Sequence, residues 1–258
     1  MSASPPGDST QRFSSLVADY ERYRPGYPSG VFDYLIDHCR LPAGDRVVDV
    51  GAGTGLSAAP WLERGFRVQA VEPNAEMRAA AARYLAEYPQ LELIDATAEA
   101  LPMTDRSVGL ITAAQAFHWF ESQASRREFE RILRSQAYVA LIWNERMHAA
   151  SRFMQDYEKA LETYAADYEA IAHYGRSTQR IIDFFAPGAV TERRFDHHQA
   201  FDFEGLCGRV WSSSYAPKPG HPNHAPLRAQ VQKLFERYSS GGEVHFLYRT
   251  RVFTGQLL

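Results

Sequence analysis

The chain has 258 residues, of which 45% are hydrophobic, and a formal net charge of −3. This composition fits one large globular domain and excludes an intrinsically disordered protein. With a net negative charge, the protein has no positive electrostatic potential that would attract nucleic acid. No apolar run is long enough to span a membrane. Two distant cysteines, Cys39 and Cys207, give neither a disulfide framework nor a metal-ligand spacing, so we expect a cytoplasmic protein without a bound metal.

The N-terminal region is divided by prolines. Residues 1–12 are rich in Ser, Pro and Gly and lack the pattern of a signal peptide, which predicts a flexible tail. Further on, a short helix is predicted from Ser29 to Leu41, with Ser29 as its N-cap.

From residue 46 onward, short apolar runs alternate with helical patterns. Five of these runs predict buried strands, over 46–50, 66–71, 91–94, 108–112 and 138–143. Helices are predicted between them over 56–64, from an N-cap at Asn74 to Glu87, and over 122–134. Strands that alternate with helices indicate a parallel sheet with helices on both faces.

The alternation ends after Trp143. Aromatic and apolar residues recur every three or four positions from Phe153 to Ile171, which predicts a helix from Ser151 to about Ala172, and a second helix is predicted over 178–185. The stripe on the first helix fits either the core or the wall of a substrate pocket. Strand patterns return at 190–201 and 244–253, with helices over 204–213 and 226–238 between them. These patterns predict a helical insertion at 145–188 and a C-terminal part at 189–258 that completes the sheet.

Three glycines, Gly51, Gly53 and Gly55, separate the first predicted strand from its helix. Glycine here permits positive φ angles and a close approach of the backbone to a ligand. A helix that begins near Gly55 would point its free N–H groups at the same place. Glu72 ends the second strand, 23 residues after Asp49, where a carboxylate can accept both hydroxyls of a ribose.

The spacing of these glycines restricts the kind of nucleotide. Leu56 occupies the place of the third glycine in a dinucleotide site, which disfavours NAD, and the Gly-Lys-Ser/Thr of a P-loop is absent. A glycine-rich turn with a purely structural role is the alternative interpretation.

Resemblance to a known family is carried by the glycine loop, Asp49-Val50-Gly51-Ala52-Gly53-Thr54-Gly55. It resembles the first motif of class I S-adenosylmethionine-dependent methyltransferases, and residues 71–77, 97–102 and 114–120 resemble their later motifs. Residues 19–28 and 248–252 resemble a subgroup of the methyltransferase type 11 group that contains trans-aconitate-methyltransferase-like proteins.

The resemblance implies a Rossmann-like, seven-stranded, mostly parallel α/β sheet with helices on both faces and the last strand antiparallel. It implies a cofactor-binding core at 13–144 with an N-terminal lid segment, and a substrate lid made by the insertion. The cofactor is S-adenosyl-L-methionine, and the implied cofactor-binding residues are Tyr20, Arg24, Asp49, Gly51, Gly53, Gly55, Glu72, Pro73, Met77, Ala98, Glu99 and Gln115.

Three positions depart from the family pattern. Thr97 stands where many relatives have an Asp for the adenine amino group, which shifts that contact to Glu99. Gly109 replaces the usual Asp of the fourth strand, so a structural contact should be missing there. Ser135-Gln136-Ala137 replaces a Pro-Gly-Gly turn.

Methyl transfer requires alignment of the reactants and exclusion of water. His118, which follows the fourth strand, is the candidate general base, although packing beneath the pocket is an equally good account of it. Candidate substrate-binding residues are Tyr23, Trp119, Asn144, Arg146 and Tyr164.

The sequence therefore predicts S-adenosylmethionine-dependent methyl transfer to an oxygen or nitrogen of a small-molecule acceptor, by a monomer or homodimer. An acidic acceptor is one version, suggested by the subgroup resemblance and the local arginines. A non-catalytic S-adenosylmethionine-binding protein is the alternative, and an NAD-dependent dehydrogenase is less favoured.

Overall fold

The computed structural model describes residues 23–165, 168, 178–213 and 215–257. The predicted tail, residues 1–12, and the predicted cofactor residue Tyr20 lie outside the described residues, as does most of the predicted lid segment.

Within the described residues, strands and helices alternate as the sequence predicts. The strands are β1 Arg46–Val50, β2 Arg67–Val71, β3 Leu91–Ile94, β4 Val108–Ala114, β5 Leu133–Arg146, β6 Val190–Phe201 and β7 Val244–Gly255. The helices are α1 Ser29–Cys39, α2 Ala59–Glu63, α3 Ala75–Tyr84, α4 Ser122–Ile132, α5 Arg152–Tyr164, α6 Thr178–Phe185, α7 Phe203–Trp211 and α8 His224–Tyr238.

All these strands form one seven-stranded sheet in the order β3-β2-β1-β4-β5-β7-β6. Strands β1 to β5 are mutually parallel, whereas β7 runs antiparallel to both β5 and β6. The prediction of a Rossmann-like, mostly parallel sheet with an antiparallel last strand is confirmed. The carboxyl ends of β1 to β5 therefore meet at one edge, where such sheets bind their ligands.

Alternation along the strands directs apolar side chains to opposite faces of the sheet. Leu141 and Trp143 of β5 belong to a core shared with α4 and α6, whereas Ala140 and Ile142 belong to a core shared with α1 and α2. A third core lies farther along β7, where α5, α7 and α8 pack on Phe246. This third core extends the protein beyond the carboxyl ends of the parallel strands.

Two predicted helix starts are wrong. Ser29 is the first helical residue and not the N-cap, because Pro28, with φ −58° and ψ 139°, is in the extended conformation that ends the preceding segment. The helix predicted over 56–64 begins only at Ala59, since Gly55 has a φ of +90° and turns follow it. Asn74 caps α3 as predicted, through bonds from the N–H groups of Glu76 and Met77 to its Oδ1.

The described helices of the predicted insertion, 145–188, pack in two separate places. The buried face of α5 lies in the third core with α7 and α8, whereas α6 packs beside α4 under the other face of the sheet. Phe153 and Leu161 of the predicted stripe are core residues. Helix α5 ends at Tyr164, before the predicted end near Ala172, because Ala165 is in an extended conformation, and Ile171 lies outside the described residues.

A compact ion pair occupies the space beside Gly109. A Cβ atom on Gly109 would overlap both the Arg134 guanidinium and the Asp45 carboxylate, which form an ion pair there. The contact expected to be missing at this position is therefore replaced by another, between the start of β5 and the residue before β1.

None of the described helices combines the length and the apolar character needed to cross a bilayer.

Candidate functional site

Backbone hydrogen bonds join the loops that follow the parallel strands. The N–H groups of Gly51 and Ala52 donate to the Val71 carbonyl at 2.8 and 3.0 Å, and Glu72 N–H donates to Ile94 at 3.0 Å. On the other side, the Gln115 N–H donates to the Ile142 carbonyl at 2.8 Å. These bonds bring the glycine loop, Glu72 and Gln115 to one edge of the sheet, as the sequence predicts.

Each of the three glycines of the loop is glycine for a different local reason. All have positive φ, at +70°, +58° and +90° for Gly51, Gly53 and Gly55. A Cβ on Gly51 would overlap that of Ala116, and a Cβ on Gly55 would lie 2.6 Å from Leu85 Cδ1. A Cβ on Gly53 would meet nothing within 4 Å. Gly51 and Gly55 are thus required by the packing of the protein, and Gly53 is the glycine that faces open space.

Thr54 adds a polar atom to the same loop. Its side chain is 1% exposed, and its Oγ1 has no hydrogen-bond partner among the residues that the structure describes. Buried hydroxyls are nearly always hydrogen-bonded. The Thr54 hydroxyl is therefore an exception within the described residues, and the sequence motif contained Thr54 without singling it out.

Asp49 is buried beneath the loop and turned into the protein. Its two carboxylate oxygens accept bonds from the Ser57 and Thr112 hydroxyls, at 2.6 and 2.7 Å. Burial raises the pKa of Asp49 to about 6, although these two bonds act in the opposite direction. Asp49, predicted to bind cofactor, thus supports the loop and adds negative potential beneath it.

Glu72 links the end of β2 to the glycine loop. Its Oε2 accepts from the Gly53 N–H at 3.0 Å, and its Oε1 accepts from the Asn74 N–H at 2.9 Å. Burial raises the pKa of Glu72, against the effect of these two bonds and of the Arg78 charge. Each oxygen keeps a second lone pair, so the carboxylate can still accept from two hydroxyl groups.

Two apolar residues and two carboxylates lie around the predicted adenine position. Met77 and Ala98 are buried by the protein itself, so their packing against an adenine stays a prediction, and Pro73 is exposed. Glu99 accepts a bond from the Glu121 N–H at 2.8 Å, which ties it to the start of α4. Asp95, directly after β3, makes a two-point ion pair with Arg78, and the sequence analysis did not identify it.

The loop after β4 carries Gln115, His118 and Trp119. Gln115 has a φ of +58°, which is unusual for a residue with a side chain, and its Nε2 donates to the Asn144 carbonyl at 3.1 Å. His118 and Trp119 are half-buried in a short 3₁₀ turn, and Arg180 of α6 donates to the carbonyls of His118 and Phe120. Helix α6, predicted to be part of a lid, thus fixes this loop through the hydrogen bonds of Arg180.

Asn144 joins β5 to the N-terminal segment. Its Nδ2 donates to the Gly26 carbonyl at 2.9 Å, and its Oδ1 accepts from the Thr250 hydroxyl at 2.6 Å. His197 Nε2 lies 3.3 Å from the same oxygen. Asn144, predicted to bind substrate, has its amide engaged by the protein and anchors the segment that precedes α1.

Arg146 lies in a cluster of tyrosines beyond Asn144. Its Cζ is 5.5 Å from the ring centroids of both Tyr157 and Tyr168, and it donates to Tyr168 Oη and, at 3.0 Å, to Tyr215 Oη. Glu158 lies 3.5 Å away and supplies a counter-charge. Burial disfavours the ionised form of Tyr215, but the positive charges of the nearby arginines outweigh this effect and lower the pKa of Tyr215 to about 8.

The remaining predicted substrate residues lie around this same cluster. The Tyr23 ring fills the space beside Gly208 in α7, and Arg24 donates to the Ser212 carbonyl at 3.0 Å. Tyr164 ends α5, half-buried, and its carbonyl accepts from Asn223 at 3.0 Å. Arg24, predicted to bind the cofactor, is thus grouped with Tyr23, Arg146 and α7, apart from the glycine loop.

Arg209 of α7 was not found from the sequence. It is 4% exposed and donates to the Tyr248 hydroxyl at 3.0 Å and the Ser213 hydroxyl at 3.1 Å. An arginine on the buried face of an amphipathic helix indicates a functional residue. The sequence alone could not show this, because it does not reveal which face of α7 is buried.

Comparison with known proteins adds a family. A methyltransferase domain family matches residues 48–141. An uncharacterized methyltransferase-like protein of Schizosaccharomyces pombe is 30% identical over 248 residues, 95% of this chain and 94% of the relative. An uncharacterized methyltransferase of Mycobacterium tuberculosis is 39% identical over 139 residues, and the match covers 54% of each chain. This chain therefore spans about half the length of the mycobacterial relative.

Solved structures share the fold at low sequence identity. A protein of Anaeromyxobacter dehalogenans described as a type II methyltransferase has a TM-score of 0.61 at 20% identity, over 92% of this chain and 99% of that one. A geranyl diphosphate C-methyltransferase of Streptomyces coelicolor, in complex with S-adenosyl-L-homocysteine, has a TM-score of 0.51 at 15% identity, over 89% and 79% of the two chains.

Proposed function

The chain belongs to the class I S-adenosylmethionine-dependent methyltransferases, and we propose that it transfers a methyl group to an oxygen or nitrogen of a small-molecule acceptor. The observation that carries the proposal is the open space at Gly53, whose N–H donates to the Glu72 carboxylate at 3.0 Å. A glycine loop with a purely structural role accounts for the positive φ of all three glycines and for the packing at Gly51 and Gly55, but it does not account for the open space that Gly53 faces.

The residues at this edge suit S-adenosylmethionine. Glu72 would accept the ribose hydroxyls with its remaining lone pairs, and the backbone at Gly53 would pass close to the cofactor. Met77 and Ala98 would pack against the adenine. S-adenosylmethionine carries a sulfonium, an ammonium and one carboxylate, so the buried carboxylates of Asp49 and Glu72 give the edge the sign that a net cation requires.

When bound, S-adenosylmethionine supplies an electrophilic methyl group and leaves as a neutral thioether. The protein has to align the acceptor and exclude water, and alignment alone is worth up to about 7–11 kcal/mol of barrier in favourable cases. We propose that the loop from Gln115 to Phe120 and the segment containing Tyr23 and Arg24 form the walls that do this.

A base is needed only when the acceptor atom carries a proton, as a hydroxyl or a protonated amine does. His118 is our candidate to accept that proton. We expect His118→Ala to lower kcat while leaving the affinity for S-adenosylmethionine within about twofold, since it removes a proton acceptor and no cofactor contact. Unchanged turnover would contradict the role, and His245→Ala, at an exposed histidine of β7, is the matched control.

Calorimetry with S-adenosylmethionine and with NAD tests the proposed cofactor. We expect binding of the first alone, and a clear loss of affinity in Gly53→Ala, whose added methyl group would occupy the open space. A methyl-transfer assay with labelled S-adenosylmethionine and a metabolite library then tests the reaction. Binding without transfer to any acceptor would favour a regulatory cofactor-binding protein over the enzyme.

A further inference from the structure

Strand β6 forms one edge of the sheet and is paired on one side only. It has 12 residues, and the strand that pairs with it among the described residues is β7. Natural proteins keep exposed edge strands short, and most strands have about 5–6 residues. Because every second residue of an edge strand turns its N–H and C=O groups away from the sheet, β6 presents a row of backbone donors and acceptors that a further strand could use.

The two faces of β6 carry different kinds of side chain. Phe195 points to the face covered by α1, where its ring packs on Tyr34 with 6.0 Å between the ring centroids. The opposite face carries four polar residues in alternation along the strand, Glu192, Arg194, Asp196 and His198. The side chains of Arg194 and Asp196 remain 57% and 55% exposed, although each makes an ion pair within the chain. This face of the edge therefore presents exposed charges of both signs to solvent.

The order of these residues is complementary to itself when the strand is reversed. If two copies of β6 pair antiparallel with each Phe195 opposite the other, Arg194 lies opposite the partner's Asp196. In the same register Glu192 lies opposite the partner's His198, which can donate a hydrogen bond to it. The twofold axis repeats both contacts on the other side of the two Phe195 rings. Cross-strand pairs of opposite charge and of aromatic rings stabilise a sheet, so this register is favourable.

Neighbouring registers of the same pair are unfavourable. A shift by one residue sets the outward backbone groups of one strand against the inward groups of the other. A shift by two residues places Arg194 opposite Arg194 or Asp196 opposite Asp196, and like charges directly opposite each other destabilise the pair. Larger shifts leave fewer residues of β6 paired. The charges on this edge therefore attract a second copy in one register and repel it in the adjacent ones.

The face of β6 covered by α1 is compatible with the same register. Arg193 lies there opposite the partner's His197, and Thr191 lies opposite the partner's Gln199. Burial lowers the pKa of His197, whose ring stacks on Tyr248 with 5.3 Å between the centroids. The imidazole is therefore neutral at neutral pH and does not repel Arg193.

We propose that two copies of the chain associate through β6, antiparallel and centred on Phe195, so that their sheets become one continuous sheet. Strand β6 runs parallel to β5, because β7 is antiparallel to both. The twofold axis therefore turns the two cofactor edges in opposite directions, and neither glycine loop takes part in the contact. The inference depends on the edge strand and holds whatever reaction the protein catalyses.

Sedimentation equilibrium of the full chain over a range of concentrations tests the association. We expect the wild type to form a particle of twice the mass of the chain. Arg194→Asp and Asp196→Arg should each raise the dissociation constant of this dimer about 10- to 100-fold, because each substitution makes two symmetry-related pairs repulsive. An equimolar mixture of the two variants should form dimers again, since every Asp then lies opposite an Arg.

A charge reversal at the other edge of the sheet is the matched control. Glu92→Arg changes an exposed residue of β3 and should dimerise as the wild type does. Amide hydrogen exchange of the wild type gives a second readout that needs no variant. The outward N–H groups of β6 should exchange more slowly at concentrations where the dimer forms than after dilution, whereas exchange in β3 should not depend on concentration.

Several results would overturn the inference. A wild-type chain that stays monomeric up to its solubility limit would do so. A dimer that both charge reversals leave intact, or one whose formation does not slow exchange in β6, would place the contact elsewhere on the molecule. A mixture of the two variants that stays monomeric, although each variant melts as the wild type does, would exclude the register centred on Phe195.

Discussion

Two neighbouring regions of the molecule bury charge of opposite sign. At the glycine loop, Asp49 and Glu72 are held by hydroxyls and backbone N–H groups. Beyond Asn144, Arg146 and Arg209 are held by tyrosine and serine hydroxyls. Each group of charges is held mainly by neutral groups of its own region, and Glu158 adds a counter-charge beside Arg146.

The largest expected effect tests whether the glycine loop is required by the fold or by a ligand. Gly51→Ala should lower the free energy of unfolding by about 2–5 kcal/mol, because it adds both an unfavourable φ and an overlap with Ala116. Gly53→Ala should cost only about 1–2 kcal/mol, from its φ alone. Chemical denaturation measures both. Equal losses of stability would remove the distinction between the two glycines.

The next effect concerns the buried acid beneath the loop. Asp49 binds its proton more tightly in the folded chain, so wild-type stability should fall as the pH rises from about 4 to about 6 and remain lower above that. Asp49→Asn should remove this loss and raise the free energy of unfolding at pH 8 by up to about 3 kcal/mol. Denaturation at pH 5 and pH 8 measures it. A variant that is less stable at both pH values would show that the charge is compensated.

The third effect tests the ribose contact. Glu72→Gln should weaken S-adenosylmethionine binding about 10- to 100-fold, since hydrogen bonds to a charged acceptor are worth about 1.5–3 kcal/mol. Calorimetry measures it, and Glu76→Gln, at an exposed position in the first turn of α3, is the control. If the two variants bind equally well, Glu72 only joins β2 to the loop.

The smallest effect is a pH dependence of the positive region. Tyr215 loses its proton more readily in the folded chain, so the free energy of unfolding should rise as the pH rises from about 8 to about 10. Tyr215→Phe should flatten this profile, and denaturation at the two ends of this pH range measures it. The charged groups facing Tyr215 are Arg24, Arg146 and Arg209, and its titratable neighbours are Tyr157 and Tyr168. A flat wild-type profile would mean that Tyr215 keeps its proton throughout.

The two regions also differ in how far the sequence predicts them. The glycine loop and Glu72 lie in short contiguous motifs. The bounds of β1 and β3, two short runs with clear ends, and those of the 12-residue strand β6 were predicted correctly. Arg209 and Tyr215 come together with Arg146 only when α7 packs on β7. No local pattern encodes that contact, so the sequence identified Arg146 without its neighbours.

The ion pair beside Gly109 has a consequence for substitutions at this position. A side chain at 109 would enter the space that the ends of the Asp45 and Arg134 side chains fill, so these two side chains would have to move apart to admit it. The glycine thus leaves room for a bond that ties the start of β5 to the residue before β1.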